Sequence, residues 1–107
     1  METYLGEFEQ VVLLAVLRLG DEAYAIPVRQ EIKTRTGRSV ARGALYTALE
    51  RLEAKGCLTS RVSEPLPQRG GRSRRYFSVT RTGLAAVRAS RKSLLRLWQG
   101  LESTLEP

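Results

Sequence analysis

Residues 64–73 constrain the fold of this chain more than any other segment of it. They read Glu-Pro-Leu-Pro-Gln-Arg-Gly-Gly-Arg-Ser, and two prolines with a Gly-Gly pair favour a loop over a helix or a strand. The flanking residues, 58–63 and 74–79, favour extended structure because they alternate in polarity or carry aromatic and β-branched side chains. Two strands around such a loop predict one β-hairpin in a chain whose other segments have helical patterns.

Three helices are predicted before the hairpin, because apolar residues recur there at spacings of three and four. They cover about residues 5–19, 25–36 and 42–55. Pro27 fits a helix only in its first turn, which sets where the second helix begins, and glycines close the second and third helices. The first helix is apolar over more than one face, so it either lies deep in a core or also touches a second chain.

A last helix is predicted from the N-cap residue Thr80 to about residue 104. It carries a heptad seam in which six of seven positions are apolar: Leu84, Val87, Arg91, Leu94, Trp98, Leu101 and Leu105. Leucines at this spacing can belong to an internal core, but a helix of about 25 residues projects beyond so small a domain. An exposed apolar stripe is costly in a monomer, so we expect a homodimer.

The predicted dimer interface combines the seam with the first helix. Its candidate residues are Leu5, Phe8, Val12, Leu84, Val87, Leu94, Trp98, Leu101 and Leu105. Trp98 has two interpretations, as an anchor of the interface or as part of a ligand cleft between the subunits.

Composition limits the chemistry that this chain can perform. The formal net charge of +7 indicates a polyanionic partner, nucleic acid before an anionic membrane surface. With no histidine and only Cys57, the common zinc sites, histidine-based triads and internal disulfides are excluded, and we expect no cofactor and no enzyme activity. Cys57 itself is predicted to be a partly buried structural residue, with a thiol redox sensor as the alternative. The longest apolar run, residues 11–17, is too short to span a bilayer, and residues 1–4 do not resemble a basic leader, so a cytoplasmic protein is expected.

The order of the elements predicts an α+β fold of the winged helix-turn-helix type. Three helices plus a β-hairpin wing form a DNA-binding domain over residues 1–80, and residues 81–107 form a long C-terminal dimerisation helix. In such folds the third helix enters the major groove of duplex DNA, while the hairpin loop is the wing.

Two groups of residues are the DNA-binding candidates. The third helix contributes Arg42, Gly43, Tyr46, Thr47 and Arg51, and the wing contributes Arg69, Gly70, Gly71, Arg72 and Arg74. Arginine binds phosphates bidentately and suits narrow minor grooves, and a Gly-Gly pair lets the backbone approach DNA closely. The alternatives are an arginine-rich loop that is only solvated, and a Tyr46 that only covers the edge of the core.

Several segments match one known family of proteins: residues 6–9, 12–17, 20–24, 43–53, 55–56, 69–72 and 75–80, together with Gly83. On these residues the chain resembles the PadR family of bacterial transcription regulators from about residue 5 to residue 83. The third-helix pattern Leu-Tyr-x-x-Leu-x-x-Leu-Glu combined with the Gly-Gly-Arg wing is specific to this family. Ala25 and Ala41 depart from it, since glycine and a hydroxyl cap are usual at these positions.

The resemblance implies a sequence-specific regulator that binds duplex DNA as a homodimer, usually as a repressor. It also implies that the final helix packs against the partner subunit together with the first helix. Some short members bind planar drug-like molecules between the subunits through a tryptophan of the final helix. Leu94 occupies that place here and Trp98 follows one turn later, so a small-molecule effector at the dimer cleft is left open. The alternative function is a protein-interaction winged helix without specific DNA binding.

Overall fold

The computed structural model describes residues 3–106. Its helices and strands are α1 Glu7–Leu19, α2 Ala25–Thr36, α3 Arg42–Ala54, β1 Leu58–Val62, β2 Arg75–Val79, α4 Arg81–Trp98 and α5 Glu102–Leu105. The strands β1 and β2 pair antiparallel, with Leu58 opposite Val79 and Val62 opposite Arg75. The predicted α+β winged-helix fold is therefore confirmed. The ends of the two predicted domains, at residues 1, 2 and 107, lie outside the described residues.

Local contacts of the backbone account for the start of α1, the end of α2 and the start of α3. The Gly6 N–H donates to Glu9 Oε1 at 2.8 Å, which satisfies a free donor at the start of α1. The helix α2 ends at Gly37, whose left-handed φ of 73° suits glycine and whose N–H donates to the Lys33 carbonyl oxygen. The helix α3 begins after Ala41 without a side-chain cap, as the missing hydroxyl at that position predicts.

The helix α1 lies at the centre of the molecule, where it packs against α2, α3, α4 and β2. Its residue Val12 is fully buried and joins the core, and Val87 of α4 is also buried. Both were predicted as dimer-interface residues. Val12 lies wholly inside the subunit core, where a second chain cannot reach it, so for Val12 the prediction is wrong. Val87 keeps 9% of its surface exposed outside the core cluster, and its place in a dimer stays a prediction.

The end of the last helix also differs from the prediction. The helix α4 stops at Trp98 because Gln99 turns to an extended conformation and Gly100 adopts a left-handed φ of 87°. The separate turn α5 follows. A single heptad seam through residue 105 is therefore wrong: Leu101 and Leu105 lie beyond the end of α4. No helix within residues 3–106 combines the length and apolar character needed to cross a membrane.

Candidate nucleic-acid interface

The base of the wing is attached to the segment between α1 and α2. The Phe77 N–H of β2 donates to the Ala23 carbonyl oxygen at 2.8 Å, and the Phe77 ring is buried in the core. This hydrogen bond places the start of α2 beside β2. The wing therefore has a fixed position relative to the helix-turn-helix.

A second attachment joins the wing to α3 through Glu53. The Glu53 carboxylate pairs with Arg75 at 2.6 Å and accepts a hydrogen bond from the Ser60 hydroxyl at 3.1 Å. The Arg75 guanidinium also donates to Ser60 Oγ at 3.0 Å. An acidic residue on α3 would otherwise repel phosphates, and here an arginine of β2 neutralises it.

A cleft of about 420 Å³ lies between the start of α2, the exposed side of α3 and the wing. Its lining includes Tyr24, Ile26, Tyr46, Arg69, Arg72 and Arg74. Four of the predicted DNA-binding residues thus meet at one surface: Tyr46 from α3 and three arginines from the wing. The structure thus brings Tyr46 together with wing arginines that lie more than 20 positions later in the sequence.

The rest of α3 has the amphipathic character that its sequence predicts. Leu45, Ala48, Leu49 and Leu52 are buried, whereas Arg42, Gly43, Tyr46 and Thr47 are exposed. Arg51 is exposed on a different flank, where its charge acts on Glu9 near the start of α1. The structure therefore separates Arg51 from Tyr46 and the wing.

The wing loop needs glycine at its tip. Gly70 and Gly71 have φ values of 65° and 76°, in the left-handed region that side chains with a Cβ rarely adopt. A Cβ at either position would meet no atom within 4 Å. The glycines are thus required by the backbone conformation, and they leave open space beside the loop.

Arg69 makes its contacts inside the loop. Its guanidinium donates to the Glu64 carbonyl oxygen at 2.9 Å and to Ser63 Oγ at 3.4 Å. The same Ser63 hydroxyl oxygen accepts a hydrogen bond from the backbone N–H of Arg74 at 3.0 Å. In this structure Arg69 shapes the wing, and a DNA contact by its side chain stays a prediction.

Arg74 lies against aromatic rings, which the sequence alone did not indicate. Its guanidinium carbon is 4.2 Å from the centre of the Tyr24 ring. A hydrogen bond with Tyr76 raises the pKa of Arg74, so its positive charge is secure. The run Arg74-Arg75-Tyr76-Phe77 shows basic and aromatic residues together in sequence, but the partner ring comes from another element.

A buried carboxylate links the start of α1 to the end of α3. Glu9 accepts a hydrogen bond from Lys55 Nζ at 2.7 Å, and Lys55 also donates to the Tyr4 carbonyl oxygen. Burial raises the pKa of Glu9, but the hydrogen bonds from Lys55 and the Gly6 N–H, together with the positive charges of Lys55 and Arg51, lower it by more. Nearby Cys57 is fully buried, and burial raises the pKa of its thiol. A poorly ionised, inaccessible thiol supports a structural role for Cys57.

The remaining predicted interface residues fall into two groups. Leu5, Phe8 and Leu84 are half-buried, whereas Leu94, Trp98, Leu101 and Leu105 are 41–51% exposed. Three leucines outside the list of predicted interface residues are exposed as well: Leu14 and Leu17 of α1 and Leu97 of α4. One subunit therefore leaves large apolar side chains in solvent on both α1 and α4.

A helix-turn-helix with an exposed polar face on α3, next to an arginine-rich hairpin, defines a protein of the winged helix-turn-helix class. The model of the PadR-like family of transcriptional regulators matches residues 13–89, and the chain belongs to this family. Family members are transcriptional regulators and not enzymes.

Solved structures show the same fold over nearly the whole chain. A transcriptional regulator from Clostridium thermocellum has a TM-score of 0.73 at 19% identity, over 92% of both chains. A PadR family regulator from Clostridium difficile also has a TM-score of 0.73, at 20% identity over 92% of this chain and 98% of that one. A PadR family regulator from Eggerthella lenta has a TM-score of 0.69 at 26% identity, over 94% of this chain and 87% of that one. No curated protein sequence matches the chain significantly.

Proposed function

We propose that this protein is a transcriptional repressor that binds specific duplex DNA sequences as a homodimer. The observation that carries the proposal is the cleft that joins Tyr46 of α3 to Arg72 and Arg74 of the wing. The arginines of the cleft can donate to phosphate oxygens, and the exposed polar face of α3 beside it can enter the major groove of DNA. A DNA-binding regulator works in the cytoplasm, which is where we expect this one.

Each group of residues has its own part in the proposed complex. The helix α3 lies in the major groove, where Arg42 and Thr47 contact base edges and the Tyr46 hydroxyl contacts the backbone. Gly43, in the first turn of α3, has no atom within 4 Å of its Cβ position and leaves room for close approach. The wing reaches the backbone or the minor groove through Arg72 and Arg74, and Gly70 and Gly71 let it approach closely. Arg51 contacts phosphate from the flank of α3.

The proposed dimer places residues 3–80 on DNA and uses α4 to join two subunits. Leu94 and Trp98 would pack against the partner subunit, with Leu5, Phe8 and Leu84 at the edge of the contact. A groove of about 600 Å³ runs between residues 3–10 and α4, lined in part by Ala85, Ala89 and Ser93. A small-molecule effector would bind there, where the two subunits meet.

The wing provides the first test of the proposal. Replacing Arg72 with alanine should weaken binding to all duplex sequences alike and reduce the slope of log K against log salt by about one unit, as for the loss of one phosphate contact. Binding titrations of a fluorescent duplex at several salt concentrations measure both effects.

The matched control for this test is Arg35→Ala. It removes the same charge from α2, where Arg35 pairs with Glu31 at 2.8 Å, and it should leave the slope unchanged. If the Arg72→Ala and wild-type proteins have the same affinity and slope, the wing does not bind phosphate. A wild-type protein without any steep salt dependence would support the protein-interaction alternative.

A further inference from the structure

Four side chains form a continuous stack on one face of the wing. The Arg74 guanidinium lies 4.2 Å from the centre of the Tyr24 ring. Tyr24 meets Tyr76 edge to face, with 5.4 Å between the ring centres and 66° between the ring planes. The Arg61 guanidinium covers Tyr76 at 4.6 Å. Cations therefore lie at both ends of a pair of aromatic rings.

The topology makes this stack a joint between α2 and the wing. Tyr24 is the residue immediately before α2, while Arg61 and Tyr76 are cross-strand partners in the hairpin. Arg74 comes one residue before β2, and it shares a face with Tyr76 because side chains alternate along an extended backbone. The backbone hydrogen bond from Phe77 to Ala23 holds the two elements together next to the rings.

The arginines of the wing differ in what their donor groups contact. Arg75 directs its donors at Glu53 and Ser60, and Arg69 directs its donors into the loop. A ring contact is different, because it covers the face of a guanidinium and leaves N–H groups on its edge free to donate in the plane. Arg74 interacts with Tyr76, and since a guanidinium has five donors, several remain for a ligand.

We propose that Tyr24 is a positioning residue for DNA binding, whose ring holds the Arg74 guanidinium at the cleft with its donor edge directed at a backbone phosphate. This inference rests on the proposed function and assigns a role to a residue outside α3 and the wing. An arginine that is already held in place loses less conformational entropy on binding than a solvated one. The free energy of binding is therefore more favourable, and the affinity for DNA is higher. Because Tyr24 also precedes α2, the same contact keeps the wing in register with the helix-turn-helix.

The test is a double-mutant cycle on a fluorescent duplex of mixed sequence. Tyr24→Leu should weaken binding about tenfold and reduce the salt slope by about one unit, whereas Tyr24→Phe should stay within about twofold of wild type. In an Arg74→Gln background, Tyr24→Leu should cause no further loss, because the arginine it positions is gone. Arg74→Lys, which keeps the charge but not the planar face, should bind as weakly as Tyr24→Leu.

Three results would overturn the inference. The first is a Tyr24→Leu protein with the DNA affinity of the wild type. The second is a loss of affinity on Tyr24→Leu that is as large in the Arg74→Gln protein as in the wild type. The third is a Tyr24→Phe protein that binds DNA as weakly as Tyr24→Leu. If thermal unfolding shows that the Tyr24→Leu protein is not folded, the Arg74→Lys protein, which keeps Tyr24, provides the test. A wild-type DNA affinity of the Arg74→Lys protein would then contradict the inference. Failure of the proposed function is distinguishable, since the wild-type protein itself would then lack salt-dependent DNA binding.

Discussion

Replacing Leu94 and Trp98 together with aspartate should yield a folded monomer that binds its DNA site at least about a hundredfold more weakly than the wild type, because the gain from two linked contacts is lost. Both side chains lie on α4 beyond the core and are 50% and 41% exposed. Burial of Trp98 against a partner should contribute about 2 kcal/mol or more to association. Because neither residue belongs to the core cluster, the helix-turn-helix should remain intact.

Sedimentation velocity and DNA titration measure the two parts of this expectation on the same samples. The control is Arg88→Asp with Lys92→Asp, on a side of α4 where both residues are exposed and directed away from the buried Gly83. That protein should remain dimeric. A wild-type chain that stays monomeric at micromolar concentration while binding its site tightly would contradict the proposed dimer.

Replacing Gly83 with alanine should destabilise the protein by about 2 kcal/mol or more, at the upper end of the range for overpacking. Gly83 is buried in the first turn of α4. A Cβ there would clash with the Cys57 carbonyl oxygen and would lie 2.9 Å from Val79 Cγ1. The Cys57 carbonyl cannot move away freely, because it accepts the Thr80 N–H at 3.0 Å.

The control for Gly83→Ala is Gly43→Ala, where a Cβ meets no atom within 4 Å. Alanine is the better helix former, so this change should stabilise the protein by up to about 1 kcal/mol. Urea unfolding of the three proteins gives the free energies. Equal unfolding midpoints for Gly83→Ala and wild type would show that α4 does not pack against the Cys57 turn as described.

The sequence predicts the helix-turn-helix well because local signals determine it. Pro27 and Gly37 set the bounds of α2, and the predicted 25–36 is the observed range. The apolar stripe of α3 is buried as predicted, and the two glycines of the wing lie in the predicted loop with left-handed φ values. Each of these features depends on backbone conformation or on periodicity within one element.

The errors come from features that depend on several elements or on competing local signals. The leucine spacing extends past residue 98, but the helix ends there because Gly100 adopts a left-handed φ, which a glycine tolerates at little cost. Val12 is apolar like its neighbours, and only the central position of α1 determines that it points inward. The pairing of Tyr24 with Tyr76 lies beside the backbone hydrogen bond from Phe77 to Ala23. Both contacts join two elements, and no pattern within a single segment predicts them.

Selection of genomic DNA fragments by the wild-type protein, followed by footprinting, tests the central claim most directly. The account predicts one recurrent, nearly palindromic site with protected half-sites about one helical turn apart, roughly 34–36 Å. Selection with Thr47→Ala or Arg42→Ala should change the preferred bases, since a base contact gives about 1–3 kcal/mol of discrimination. Recovered fragments with no sequence in common, or the same preferred site for wild type and both variants, would contradict a dimer that reads DNA through α3.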